Sequence, residues 1–252
     1  MIKVILLGSG NVAVHLSRAF EKSKNIEFIQ RYSRSKNNNN FFDKSIPIIH
    51  DISRLKIADI YIIAISDDAI IEFSEQLKFN QGLVVHTAGN LPVEALQCTA
   101  NKGVLYPLQT FSKDQNLNFK NIPISIETEK ESDYTLLKSL AETLSDKVYS
   151  FDYQQRKHIH LAAVFANNFS NHMFKIAYDI CEKQNISFEI LKPLIAETAN
   201  KIAKSDPQNA QTGPAKRNDK KVIENHLQQL DKNQQEIYKL VTKSIINTYQ
   251  SK

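Results

Sequence analysis

The chain has 252 residues, 42% of them hydrophobic, and a formal net charge of +5. That length holds one large or two ordinary domains with packed cores, and no apolar run approaches the ~20 residues of a membrane helix. The lysines are interspersed with acids instead of forming a stripe, so neither a nucleic-acid nor a membrane partner is expected, while a preference for small anionic ligands fits the balance.

Cys98 and Cys181 are the two cysteines, and neither sits in a C-x-x-C. The expectation is a reduced, cytoplasmic protein without a disulfide framework or a metal site. The N-terminus lacks a basic n-region, so no signal peptide is expected.

Ile2 to Leu7 is an apolar run that ends at Gly8. Gly8-Ser9-Gly10-Asn11-Val12-Ala13 follows, and helical spacing begins there. This is a G-x-G-x-x-G/A fingerprint after a strand and opening a helix. Gly8 allows a tight turn, Gly10 lets backbone approach a pyrophosphate, and Ala13 lets the helix sit close on the strand. The helix N-terminus then favours a diphosphate. A tight strand–helix turn without a ligand is the alternative.

Ile26 to Tyr32 reads as the second strand. An NAD-binding unit usually has an acid here, about 20 residues past the glycines, for the ribose 2′-hydroxyl. This chain has Ser33-Arg34-Ser35-Lys36 instead, which suits the 2′-phosphate of NADP better than NAD, with Arg34 as guanidinium partner. A solvated basic turn is the other reading. Asn37 to Asn40 is a low-complexity run, expected as a surface loop.

Ile46 to Ile49 reads as a short edge strand. Ile60 to Ile65 is a nearly continuous apolar run, as in a parallel strand buried on both faces. Ser66-Asp67-Asp68 after it is read as a cap for a helix through Leu77. Gly82 to His86 is the next strand, followed by Thr87 to Asn90, with Pro92 just inside another short helix. Ligands of open α/β sheets bind at the carboxyl ends of the strands, which brings Ser66, Asp67, Thr87 and Ala88 near a cofactor. Gly103 to Phe111 carries the chain past the same rim, with Gln109 on it. Ile122 to Ile126, a helix over Asp133 to Leu144, and Val148-Tyr149 complete an α/β, Rossmann-like, doubly wound and mostly parallel sheet over residues 1–150.

Residues 151–252 form a second, all-α domain. Tyr153 to Lys183 has neither Gly nor Pro and reads as one long helix, apolar nearly all round in its middle as if buried. Ser187 to Lys204, Lys216 to Leu230 and Asn233 to Tyr249 are further helices. The long helix carries His160, Asn168 and His172 within about 120° of one another at the 3.6-residue period. One reading is a substrate-facing stripe in which His160 or His172 donates a proton to a carbonyl or imine. The other is hydrogen bonding between helices or at a dimer contact. In Gln211 to Asp219, Arg217 can clamp a carboxylate with Asp219 orienting it, or both can cap the next helix.

Together GSGNVAVHL, YSRS, IYIIAISDDAI, VVHTAG, YPLQTF, HLAAVFANNFSNH and QTGPAKRND resemble bacterial proteins with a Rossmann-like N-terminal domain and a helical C-terminal domain of unknown function. More remotely, the chain is similar to ketopantoate reductase, pyrroline-5-carboxylate reductase, prephenate dehydrogenase and the β-hydroxyacid dehydrogenases. The resemblance implies an NAD(P)-binding domain joined to a helical, often dimerising domain, with the active site between them, and a homodimer through the helical domain. The catalytic Lys–Asn pair of the β-hydroxyacid dehydrogenases is absent, because Leu161 stands four residues after Lys157. His160, Asn168 and His172 match a His, polar, His spacing of prephenate dehydrogenases.

The leading expectation is an NADP-dependent oxidoreductase that acts on a small anionic carbonyl or imine compound. Its cofactor side comprises Gly8, Ser9, Gly10, Asn11, Val12, Ser33, Arg34, Ser35, Ser66, Asp67 and Thr87. Its catalytic side comprises His160, Asn168, His172 and Arg217. The alternative is a dinucleotide-dependent sensor or scaffold without turnover, which the missing Lys–Asn pair favours. A methyltransferase using S-adenosylmethionine fits less well, because the turn after the second strand is basic.

Overall fold

The computed structural model describes residues 1–35 and 41–250; Lys36 and the asparagine run Asn37 to Asn40 lie outside the described residues. Two compact units divide the chain, Met1–Asn168 and Phe169–Lys252.

The first unit is built on one eight-stranded sheet of order β3-β2-β1-β4-β5-β6-β7-β8. The strands are β1 (Ile2–Leu7), β2 (Ile26–Tyr32), β3 (Ile48–Ile49), β4 (Ile60–Ile63), β5 (Leu83–His86), β6 (Asn101–Pro107), β7 (Ile124–Thr128) and β8 (Val148–Ser150). The first six are parallel; β7 runs antiparallel to β6, and β8 parallel to β7. The order 3-2-1-4-5-6 is that of dinucleotide-binding sheets, and it reverses between β1 and β4, where a crevice opens at the strand ends.

Alternation along the strands feeds two cores. Val4 and Leu6 of β1 join Ile60 and Ile62 of β4 on one face, with Phe20 of α1 (Asn11–Glu21) and Leu137 and Leu140 of α3 (Glu131–Leu144). Ile5 and Leu7 join Tyr61 and Ile63 on the other, with Ile70 of α2 (Ile70–Glu75). Burying one such side chain fully contributes about 2 kcal/mol over leaving it exposed. Burial on both faces is why these strands read as unbroken apolar runs.

Beyond the sheet, α4 (Tyr153–Ala163) opens on a capping box, with the Asp152 carboxylate accepting from the Gln155 N–H and the Gln155 side chain accepting from the Asp152 N–H. Arg156, one turn in, has no exposed surface. It forms an ion pair with Glu127 of β7 and donates to the Leu91 carbonyl at 2.6 Å, which ties α4 to the sheet.

The second unit contains α5 (Ser170–Lys183), α6 (Lys192–Lys204), the short α7 (Pro207–Ala210) and α8 (Pro214–Arg217), α9 (Lys220–Leu227) and α10 (Lys232–Gln250). Its buried apolar residues are Cys181 and Ala215.

Several local expectations need correction. Ser66 holds the N-cap position of a 3-10 turn, Asp67–Ala69, that precedes α2, and its hydroxyl makes no cap bond. Pro92 lies just outside a 3-10 turn, Val93–Ala95, with extended backbone at ψ 162°. The long helix is interrupted by a π-helical turn, Val164–Phe169, so the 3.6-residue phase that placed His160, Asn168 and His172 on one stripe does not run through it. Nor is its middle buried: Leu161 is 55% and Phe165 63% exposed. A single helix over Lys216 to Leu230 is broken by Asn218 in the left-handed region (φ 54°), after which Asp219 caps α9 by accepting from Val222 N–H.

Candidate functional site

The two glycines of the β1–α1 turn are there for different reasons. Gly8 has φ +142°, and a Cβ there would lie 2.1 Å from the Ala64 carbonyl oxygen at the end of β4. The fold itself demands it. Gly10 has φ −75° and ψ −173°, open to any residue, and a Cβ there would meet nothing nearer than 4.0 Å. No neighbouring atom within 4.0 Å requires that glycine, and the space beside it is part of an open cleft. Gly10 is the N-cap of α1, no side chain caps the helix, and its first turn has no acid. The first-turn amides and the helix dipole are therefore available to an anion.

This turn forms one wall of a cleft of about 560 Å³, with Gly8, Ser9, Gly10, Asn11 and Val12 lining it. Tyr32, Arg34 and Ser35 close it at the end of β2, and Ser66 lies at the end of β4. Glu72 of α2 is its acid. Ser33 is buried beneath it: its hydroxyl donates to Ser35 carbonyl at 2.9 Å, and its carbonyl accepts from His50 Nδ1 at 2.6 Å. The Thr87 hydroxyl donates to the Ile63 carbonyl at 3.3 Å. Ser33 and Thr87 thus spend their hydroxyls on the backbone around the crevice.

A second cleft, of about 480 Å³, shares Asn11 and Val12 with the first. Residues 108–111 line it from the loop after β6, and His160, Asn167 and Asn168 line it from α4 and the π turn. The Asn11 amide donates to the Phe111 carbonyl at 2.8 Å, His15 to Ser112 carbonyl at 2.9 Å and Arg18 to Lys113 carbonyl at 3.0 Å. One face of α1 therefore holds the loop that lines this cleft.

Inside it, the Tyr106 hydroxyl and His160 Nδ1 are 3.0 Å apart, with the rings edge to face. His160 stands one helical turn after the anchored Arg156. Asp67 acts electrostatically on both rings. Burial pushes its carboxyl up, and the facing His160 pulls it back down. Burial, reinforced by Asp67, pushes Tyr106 up to about 12, so its hydroxyl keeps its proton at neutral pH.

The sequence shows Asn167 among the polar residues of the long helix and Tyr106 within YPLQTF, and gives neither a site role. His172 on α5 and Arg217 on α8 lie in the second unit, both exposed. Of the two readings of Asp219, the structure displays the helix cap.

Another cleft of the first unit, about 590 Å³, lies where α1 ends beside α3, with Arg18 and Lys120 among its cations. Arg18 donates to two loop carbonyls and Lys120 pairs with Asp146 at 3.3 Å. Among the described residues no group of three His, Cys, Asp or Glu is placed to hold a metal ion, and no helix is long and apolar enough to cross a membrane.

Residues 122–245 match the domain of unknown function DUF2520. A "putative NADP oxidoreductase" from Bacteroides fragilis is 38% identical, with 98% of each chain covered and a TM-score of 0.89. The chain belongs to the same family as that protein. Two more distant structures share the fold. Pyrroline carboxylate reductase from Plasmodium falciparum, solved with NADP bound, is 14% identical, with 97% of this chain and 98% of that one covered and a TM-score of 0.63. The 1-pyrroline-5-carboxylate reductase of Streptococcus pyogenes is 13% identical, with 100% and 99% covered and a TM-score of 0.65. No curated protein matches the chain.

Proposed function

We propose that this protein is an NADP-dependent oxidoreductase acting on a small anionic carbonyl or imine compound in the cytoplasm. The observation that carries the reading is Gly10. No neighbouring atom requires its missing side chain, and it opens onto the cleft that holds Arg34 and Ser35. The name of the Bacteroides relative points the same way. When bound, the nicotinamide supplies or accepts the hydride.

The chain's own residues do the rest. Backbone amides from Gly8 to Val12 hold the pyrophosphate at the α1 N-terminus. Arg34 pairs with the 2′-phosphate, Ser35 adds a polar neighbour, and Ser33 fixes the turn that carries them. Without an acid after β2, NAD has no matching partner for its 2′-hydroxyl. Ser66, Asp67 and Thr87 stand at the nicotinamide end. His160 donates to the substrate's carbonyl oxygen or imine nitrogen, and Asn168 orients the substrate beside it. On the second unit, His172 is read as a proton donor and Arg217 as a cation for a carboxylate.

The helical unit pairs with a second copy of itself. Its exposed apolar side chains support this, Ile190 at 70% and Leu240 at 71% among them. Two free cysteines fit a reducing compartment.

A titration with NADPH and NADH tests the reading. NADPH binds at least tenfold more tightly, and Arg34→Ala removes about tenfold of that preference, the scale of one partly solvated charge-assisted bond. If neither nucleotide binds, the oxidoreductase reading fails.

A further inference from the structure

We propose that Tyr106 is a positioning residue for His160, holding the neutral imidazole with its proton on Nε2 and leaving that N–H to the cleft. This rests on His160 facing substrate, as above, but the pairing is testable by itself.

A helical histidine has an easy way to satisfy Nδ1: it donates to the carbonyl four residues earlier. His158, two positions away, does this with the Gln154 carbonyl at 2.6 Å, which puts its neutral-state proton on Nδ1. His160 takes a different partner. Its Nδ1 meets the Tyr106 hydroxyl at 3.0 Å, and its Nε2 has no hydrogen bond among the described residues. A phenol is a better donor than acceptor, and a bare imidazole nitrogen is a good acceptor. Burial raises that hydroxyl to about 12, so it holds its proton at neutral pH. Donation from Tyr106 to Nδ1 therefore leaves the proton of neutral His160 on Nε2.

The fold also makes room for the pair. Gly89, in the loop after β5, is buried. A Cβ there would lie 2.7 Å from His160 Nδ1 and 2.7 Å from Tyr106 Cζ. Its φ is not in the left-handed region, so the glycine is required for space and not for conformation. Three elements thus meet at one hydrogen bond: β6 supplies the phenol, α4 the imidazole, and the loop after β5 the gap.

The charges around the pair are few. Asp67 faces both rings, with Asp68 behind it; Arg156, four residues earlier on α4, acts on Tyr106 and is itself neutralised by Glu127. The Tyr106 contact holds the orientation of the ring, which is what a donor aimed at one atom of a substrate needs.

Long-range proton–nitrogen spectra of protein labelled with ¹⁵N-histidine test this without any substrate. His160→Gln assigns the resonances, and His158 is the internal reference. In the neutral state His160 shows the Nε2–H form alone, while His158 shows Nδ1–H. Tyr106→Phe converts His160 to a mixture of both forms, leaves His158 unchanged, and leaves NADPH affinity within about twofold of the unaltered protein. Gly89→Ala has the same spectral effect by displacing the ring. Uniform 3-fluorotyrosine, which keeps the ring shapes, shifts His160 Nδ1 through a more acidic phenol and does not shift His158.

A structural tyrosine would lower the melting temperature and leave the tautomer alone. The proposal is overturned if His160 carries its proton on Nδ1, or if neither Tyr106→Phe nor fluorination changes its resonances. Failure of NADPH to bind would sink the oxidoreductase reading instead, and the tautomer spectra would still decide the pairing.

Discussion

The two units of this chain are built to different standards of closure. In the first, β1, β4 and β5 are sealed between two apolar layers, and every residue from Val4 to Leu7 is fully buried. In the second, the helices are as regular, yet among its described apolar residues only Cys181 and Ala215 are buried, and a cleft of about 350 Å³ is lined by Ile176, Ile180, Ile237 and Val241. Good local helix signals do not make a core. A unit this size needs most of its apolar surface covered, and the second unit exposes its own.

The largest effect expected from breaking the contrast comes from Gly8→Ala. The added Cβ collides with the Ala64 carbonyl at a backbone angle that L residues rarely adopt. Chemical denaturation should register a loss of about 4 kcal/mol or an unfolded first unit. Gly10→Ala should leave stability within about 0.5 kcal/mol and weaken NADPH binding instead.

Acid should act next, and on the sheet. His86 is enclosed, with Nε2–H donating to the Pro92 carbonyl and Nδ1 accepting from the Ala88 N–H. A second ring proton would face that N–H. Burial first, with Arg156 adding to it, pulls His86 down to about 4. The unfolded chain protonates the same ring near ~6.5 and holds more protons between those values, so stability falls as pH drops through that window. From pH 8 to pH 5 the loss should be about 2 kcal/mol by denaturant melts, and His86→Gln should remove most of it.

The second unit should instead respond to concentration. If a second copy covers its apolar faces, each tenfold increase in protein adds about 1.4 kcal/mol of stability per mole of dimer, seen as a rising melting temperature. Sedimentation as a monomer at micromolar concentration would dismiss the pairing. The smallest effect is Asp219→Ala, which removes the cap of α9 and should cost about 1 kcal/mol.

Legibility in the sequence followed the same divide. Ile60 to Ile63 announced a strand because both of its faces are buried, and Gly8 to Ala13 announced the turn because Gly8 answers a steric need of the fold and a helix opens directly after it. What escaped notice depends on partners far along the chain. Tyr106 meets His160 across 54 positions, and Arg156 finds Glu127 across 29. An arginine opening a polar helix looks solvated until the sheet is in place. The π turn has no glycine or proline to mark it, so an even helical period through residue 172 was a natural reading of Tyr153 to Lys183. Ser33 looked like a phosphate ligand by type, and only the folded turn reveals that its hydroxyl is spent on Ser35.

Asn11, His15 and Arg18 recur at the spacing of one helix face, and together they bind the carbonyls of Phe111, Ser112, Lys113 and Gln115. The conformation of that loop is therefore encoded nearly a hundred residues before the loop itself. For protein engineering, α1 and residues 108–115 form a single transplantable cassette. Grafted alone onto another sheet of the same order, the loop would arrive without the side chains that hold its backbone in shape.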